Sequence, residues 1–344
     1  MAPKKKMLYD ENKEKSLEMA LAAIDKQYGK GTVLSGVTSF PEIERIDSGS
    51  IGLNRALGGG YARGRMVEIR GMESSGKTTL ALHGIAEEQK LGHRCAFVDM
   101  EHALDPYYAS ALGVDLDSLL LSQPSSGEQA LNVVEMLTRS GSVSLIVVDS
   151  VAALVPQCEI EKNIGESSMG KQAALMSQAM RILTGPVEQT KTAVIFINQI
   201  RMKFVMFGCP EVSSGGEALK YYASQRIDMR KIETISEGED KIANRVKAKV
   251  IKNKVGAPFR EAQFNIRFGV GIDWAEEYIE LAEAVGLVEK VKASWYQYKG
   301  ENIGHGSDQA CQYLREHLDI AKEIKEQLNI IPVLEEKGKI EIEP

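Results

Sequence analysis

The chain of 344 residues is 43% apolar and 26% charged, a balance that fits one large domain with small appendages and excludes a mainly disordered, collagen-like or disulfide-scaffold chain. No apolar run approaches the roughly 18–20 residues of a membrane span. The basic start, residues 1–6, is not followed by the apolar stretch of a secretory signal, and the four cysteines form no C-x-x-C pair, so a cytoplasmic chain without structural zinc, disulfides or a membrane partner is expected. The net charge of −6 is unevenly placed: residues 274–344 hold 8 basic and 15 acidic side chains, which leaves the body nearly neutral. Any nucleic-acid binding must come from local basic loops.

In chain order, residues 10–28 place Leu17, Ala20, Leu21 and Ile24 at helical spacing before Gly29 and Gly31, which predicts an amphipathic helix. The polar stretch 35–44 reads as a linker. From about Ile46 to Asp273 the pattern is α/β. Strands are expected at 66–70, 95–99, 119–122, 145–149 and 193–198, and helices at 76–90, 127–140 and 171–190. Near-continuous apolar strands between helices imply a mostly parallel sheet covered on both faces. Three further strands, 226–235, 245–254 and 261–267, have no long helices between them and are expected as an antiparallel edge. After Trp274, helices at 275–285 and 307–328 around a strand at 295–298 suggest a small C-terminal α+β domain. The expected domains are therefore 1–34, 35–273 and 274–344.

Gly71, Met72, Glu73, Ser74, Ser75, Gly76, Lys77, Thr78 and Thr79 satisfy G-x4-G-K-[ST] between a strand and a helix, the setting a phosphate loop requires. Backbone N–H groups and the helix N-terminus would hold phosphate oxygens. Lys77 would reach the β- and γ-phosphates of ATP, and the Thr78 hydroxyl would ligate Mg²⁺. The strand 145–149 ends in Asp149, a second carboxylate for Mg²⁺. Glu101, just past another strand, is either a base that activates water or a salt-bridged surface acid. Gln199 ends a further strand and is either a γ-phosphate sensor or a turn residue. Two long Gly-containing loops, 156–170 and 200–216, follow strand ends. The second carries Arg201 and Lys203 beside Phe204, a mixture suited to a nucleic-acid backbone with wedges between bases; a substrate lid or partner loop is the alternative. Lys252 and Lys254, one residue apart on an expected strand, share a side of the sheet, either as a solvated basic edge or as cations for a neighbouring subunit's nucleotide.

The runs 99–106, 146–153, 197–203 and 252–254, with Ser122-Gln123-Pro124 and Gly127-Glu128-Gln129-Ala130, resemble the bacterial RecA recombinase family, from Asp10 to about Lys325. The resemblance implies a phosphate-loop ATPase core of RecA-like fold with an N-terminal helix and a small C-terminal α+β domain. It implies a DNA-dependent ATPase that forms a helical homo-polymer on single-stranded DNA, exchanges strands with a homologous duplex, serves recombinational repair, and meets a LexA-type repressor in a damage response. A ring-forming ATPase motor or regulatory scaffold on the same core is the rival reading. By resemblance Glu101 activates water and Gln199 couples the γ-phosphate to the DNA loops. Asp105, Tyr108 and Phe268 lie at the adenine, Lys252 and Lys254 reach the neighbour's γ-phosphate, and Tyr221 packs at the subunit interface. Met169, Gly170, Lys171, Ser177 and Arg181, with Arg201, Lys203, Phe204, Gly215 and Gly216, meet DNA. Departures from the family pattern are Met72 for proline, Ala174 for arginine, Glu217 for asparagine, Phe268 for tyrosine, a second loop one residue shorter, and a short acidic tail. They mark a divergent member, of the kind a phage can encode.

Overall fold

A computed structural model of the chain describes residues 11–30, 32–33, 42–163, 166, 170–202, 211–291 and 294–330. The chain forms two compact units, 1–42 and 43–344. The first contains α1 (Glu11–Tyr28), where apolar spacing predicts a helix; Leu17 and Met19 stand exposed on it. Most of the expected linker lies outside the described residues.

The second unit begins with β1 (Arg45–Ile46), α2 (Ile51–Leu57) and β2 (Tyr61–Ala62), then β3 (Met66–Gly71), α3 (Lys77–Lys90), β4 (Cys95–Asp99), α4 (Pro106–Ala111), β5 (Leu120–Ser122), α5 (Gly127–Ser140) and β6 (Leu145–Asp149). It continues through α6 (Gln157–Ile160), α7 (Lys171–Thr190), β7 (Ala193–Met202), β8 (Glu211–Ser213), α8 (Ala218–Tyr222), β9 (Gln225–Glu237), β10 (Asp240–Asn253), β11 (Glu261–Arg267) and β12 (Gly271–Ile272). The last part holds α9 (Trp274–Ala284), β13 (Val288–Val291), β14 (Trp295–Tyr298), β15 (Glu301–His305), α10 (Ser307–Glu316) and α11 (Leu318–Ile330).

The large sheet runs β12-β11-β10-β9-β3-β7-β6-β4-β5, with β8 paired to β7. Strands β9, β3, β7, β6, β4 and β5 are parallel. Successive residues of each strand go to opposite faces: Val67, Ile69, Phe97, Val147 and Ile195 pack with α3, while Met66, Ala96, Val98, Ile146 and Val148 pack with α5 and α7. Helix α5 starts where Ser126 accepts from Gln129 N and stops at Gly141 in the left-handed region, an ordinary pair of caps.

Three expectations need correction. Strand β9 is parallel to β3, so only β10, β11 and β12 form the antiparallel edge. The chain crosses over to β9 through β8 and the five-residue α8, too short to leave a helical period in the sequence. Helices α2 and α4 were not expected, because seven and six residues carry little periodicity. The expected helix 307–328 is two helices, parted at His317, and the three-stranded β13-β14-β15 sheet completes the C-terminal part.

One buried acid ties that C-terminal part to the large sheet's unit. Glu277 on α9 caps the start of α2: its Oε1 accepts from Ser50 Oγ at 2.5 Å and Gly52 N at 2.9 Å, and its Oε2 from Ile51 N at 3.2 Å. Lys325 on α11 meets Asp47 at 2.9 Å on the same side. Burial pushes Glu277 up to about 7, against the pull of those three donors. Its stabilising contribution is therefore fully present below its ordinary value of 4.5 and is lost as pH rises through about 7. Glu277→Ala strands three donors and is expected to cost about 3 kcal/mol, read as a lower urea midpoint. Glu277→Gln is expected to flatten the fall in unfolding free energy between pH 4.5 and about 7; an unchanged slope would assign that fall to other groups.

Candidate functional site

Four adjacent parallel strands, β3, β7, β6 and β4, run toward one edge, where the phosphate loop follows β3, Gln199 lies within β7, Asp149 ends β6 and the approach to Glu101 follows β4. The loop's shape follows from its glycines. A Cβ on Gly71 would stand 2.5 Å from Met229 O and 2.6 Å from Ser75 Oγ. Gly76 has φ +83°, and a Cβ there would meet Ile266 Cδ1 at 2.3 Å. Ser75 Oγ and Lys77 Nζ each donate to Met72 O at 2.8 Å, while Glu73 and Ser74 face solvent. Burial holds Lys77 below its ordinary value, opposed by Asp149, Glu101 and Glu73.

Thr78 Oγ1 donates to Asp149 Oδ2 at 2.7 Å. Burial pushes Asp149 up to about 6, with the Glu101 and Asp99 charges adding to the rise, while the Thr78 bond and Lys77 lower it. A buried carboxylate held above its ordinary value by burial and neighbouring acids, beside a hydroxyl, suits a hard divalent cation. The residues therefore fit Mg²⁺.

Glu101 is exposed just beyond β4. Its Oε1 accepts from Gln199 Nε2 at 3.2 Å and from Ser150 Oγ at 2.5 Å. The loop leading to it is shaped by Asp99, which accepts from Ala103 N, Leu104 N and Gln123 Nε2. Asp105 caps α4 through Tyr107 N and Tyr108 N. Tyr108 OH lies 2.9 Å from Thr79 Oγ1, which ties α4 to the helix that opens the phosphate loop. Phe268 is about half exposed, in the turn between β11 and β12. That turn packs against the end of α4: a Cβ on Gly271 would meet Leu112 Cδ2 at 2.3 Å.

The expected DNA loops carry more structure than their composition suggests. The first contains α6; Met169 lies outside the described residues. Gly170, with φ 80°, opens α7. Gly170, Ala174, Ser177 and Arg181 recur at helical spacing along it, and Lys171 and Arg181 are exposed. In the second, β7 runs on to Met202 and β8 returns antiparallel, pairing Ile200 with Ser213 and Arg201 with Val212. This stem corrects the expected strand end at 198; Lys203 and Phe204 lie outside the described residues. Asn198 Nδ2 donates to Glu68 Oε1 at 2.9 Å and to Ser214 O at 3.2 Å, so the stem's base is held to β3. A Cβ on Gly215 would reach Val151 Cγ1 at 2.6 Å, and one on Gly216 would reach Ala173 Cβ at 2.7 Å. These two glycines let the stem sit against α7 and the turn after Asp149.

Lys252 and Lys254 converge as their spacing predicts, although β10 ends at Asn253. Lys252 Nζ donates to Lys220 O at 2.7 Å and Tyr221 O at 2.9 Å, and Lys254 Nζ to Tyr221 O at 3.3 Å. Both cations thus sit at the C-terminal end of α8, where helix carbonyls attract positive charge. Burial, then Lys254 and Arg226, push Lys252 down to about 8. Tyr221 is exposed beside them. Ser150, Asn198 and the Gly215–Gly216 packing were not read from the sequence: each depends on which strand end lies beside which.

A phosphate loop on β3, with acidic and amide groups at the ends of the neighbouring parallel strands, defines a P-loop ATPase with a RecA-type central sheet. The family model described as the RecA N-terminal domain matches residues 15–273, and that of the RecA C-terminal domain matches 276–330. A curated Protein RecA of Saccharopolyspora erythraea is 53% identical over 320 residues, covering 92% of each chain. The Protein RecA of Haemophilus ducreyi is 51% identical over 332 residues, 96% of this chain and 89% of the relative. The chain belongs to the RecA family. It is a DNA-dependent ATPase that forms a helical filament on single-stranded DNA and catalyses homologous pairing and strand exchange in recombinational repair. The family decides against the ring motor and the scaffold. No helix among the described residues is long and apolar enough to cross a membrane.

Because the carbonyl of Met229 stands so close to Gly71, Gly71→Ala must displace the loop from β9. Overpacking of this kind costs about 1–3 kcal/mol, so nucleotide affinity is expected to fall roughly 10- to 100-fold in a fluorescent-nucleotide titration, with the overall fold kept.

Proposed function

We propose a division of labour among the site residues, supported most directly by the hydrogen bond from Gln199 to Glu101, because Gln199 also stands at the foot of the β7–β8 stem. In this reading the backbone from Gly71 to Thr79, with Lys77, holds the phosphates of ATP. Thr78 and Asp149 hold Mg²⁺, which when bound offsets charge on the phosphate oxygens. Glu101 orients and deprotonates the attacking water. Gln199 turns from Glu101 to the γ-phosphate, and the stem carries that change to the loop with Arg201, Lys203 and Phe204. Asp105, Tyr108 and Phe268 border the adenine. Gly170, Lys171, Ser177 and Arg181 line the start of α7 toward DNA together with Met169. Gly215 and Gly216 add the close approach that the stem requires.

Lys252 and Lys254 reach the nucleotide of a neighbouring subunit across an interface that includes Tyr221. Their seat at the end of α8 supports this, since both ammonium groups already point to one place. The filament is a head-to-tail polymer whose interface does not close, and ATP between subunits ties assembly to nucleotide state. The remaining parts of the reading are a cytoplasmic protein with an N-terminal segment at 1–34, an ATPase core at 35–273 and a C-terminal domain at 274–344, which meets a LexA-type repressor when filamentous.

Two experiments test it. Glu101→Gln keeps the shape and removes the base: turnover should fall by roughly 10²–10⁴, the usual worth of a general base, with nucleotide and DNA binding retained. Near-normal hydrolysis would refute the assignment. For the lysines, Lys77→Ala and Lys252→Ala subunits should each be nearly inactive alone. Co-assembled on single-stranded DNA with ATP, they should regain hydrolysis, because a Lys77→Ala subunit still offers Lys252 to its neighbour. Mixed filaments without recovery would show that Lys252 does not act in trans.

A further inference from the structure

Glu101 is held by a second donor whose position is odd for its residue type. Ser150 follows Asp149 and stands at the N-cap of the 3-10 turn Val151–Ala153, with extended φ −124° and ψ 165°. A serine there ordinarily turns its oxygen to a backbone N–H of the turn. Here the side chain makes no such cap bond, and the carbonyl of Ser150 alone accepts from Ala153 N at 3.1 Å. The hydroxyl turns instead to Glu101 Oε1, although Ser150 is fully buried and Glu101 is exposed.

The two donors to Oε1 differ in what anchors them. Gln199 is paired with Gly71 on β3 and leads into the β7–β8 stem, and its long, partly exposed side chain reaches Glu101 from that strand. Ser150 follows the last residue of β6, a buried strand paired on one side with β4, where Asp149 stands opposite Asp99, and on the other with β7. Ser150, short and fully buried, is therefore the confined donor, while the longer and partly exposed side chain of Gln199 has room to turn away. Among the described residues, Oε2 of Glu101 receives no hydrogen bond, and it remains the oxygen that can take a proton from water.

We propose that Ser150 is the positioning residue of the catalytic base: it pins Oε1 of Glu101, leaves Oε2 aimed at the attacking water, and keeps that aim when Gln199 leaves for the γ-phosphate. The proposal rests on the reading of Glu101 as the base. Without Ser150, the departure of Gln199 would release a solvent-exposed carboxylate to rotate at the moment of reaction. Loss of one hydrogen bond to a charged group, with the misaim that follows, lowers the rate by about 10- to 100-fold.

The test is steady-state ATP hydrolysis on single-stranded DNA by the full chain carrying Ser150→Ala, Glu101→Gln, or both. Filament formation with a nonhydrolysable ATP analogue, seen by electron microscopy, reports folding and binding. The expected result is normal Ser150→Ala filaments, kcat down about 10- to 100-fold with KM for ATP within about twofold, and little further loss when Ser150→Ala is added to Glu101→Gln. A Ser150→Ala kcat near that of the unmodified chain overturns the proposal. So does a rise in KM that matches the loss in kcat, or a full repeat of the loss in the Glu101→Gln background, since either places Ser150 in binding or in the metal site. If Glu101→Gln itself keeps its turnover, the base assignment fails and the proposal falls with it; if Glu101→Gln is inactive and Ser150→Ala is not, only the proposal fails.

Discussion

The parallel register of β3, β7, β6 and β4 is the constraint on which every part of the site depends. Gly71 stands opposite Gln199, and Asp99 stands opposite Asp149. β4 and β6 stop together, β3 ends beside Gln199 and β7 runs on to Met202, and all four carry their chains to the same crevice, as open parallel sheets do. The phosphate loop, Gln199, Asp149 and the approach to Glu101 are brought together by main-chain hydrogen bonding laid down across the sheet. A slip of one residue in any strand would move its terminal side chain to the other face and dismantle the group.

That arrangement concentrates charge. Asp149, Glu101 and Glu73 act on Lys77, and Glu101 and Asp99 act on Asp149; the result is a carboxylate pushed up and a lysine pulled down, each mainly by burial. Such opposed shifts are costly in a resting protein and useful in one that binds a polyphosphate with its cation, because the ligand supplies the missing opposite charges. The same logic runs at the sheet's other side. Glu68, buried on β3, is met by Arg226 and Asn198, and Arg226 in turn helps push Lys252 down. One buried acid thus bears on both the stem of the second loop and the lysines at the end of α8.

Much of this was legible in the sequence for a physical reason. The strands of the parallel sheet are buried on both faces, so β4 and β6 read as unbroken apolar runs, and the glycines of the phosphate loop have no steric alternative. The motifs brought Glu101, Asp149 and Gln199 within view. What could not be read depends on distant partners. Helix α2 is held by Glu277, more than two hundred residues away. Strand β9 turns parallel because of where its crossover lands, and the β7–β8 stem mixes apolar with polar residues over a return strand of only three residues. The hydroxyl of Ser150 reads as an ordinary cap until Glu101 is placed beside it.

The departures from the family pattern fall into this frame unevenly. Phe268 keeps an aromatic ring in the turn that packs on α4, so the loss of a hydroxyl leaves the surface in place. Glu217 bonds to Lys220 at 2.8 Å, one turn from Tyr221 and on the helix whose last carbonyls hold Lys252 and Lys254. Ala174 stands uncharged on the α7 face that also carries Gly170, Ser177 and Arg181, while Lys171 stands exposed one turn earlier. The N-terminal end of that helix favours negative charge, and Lys171 places a cation at that end.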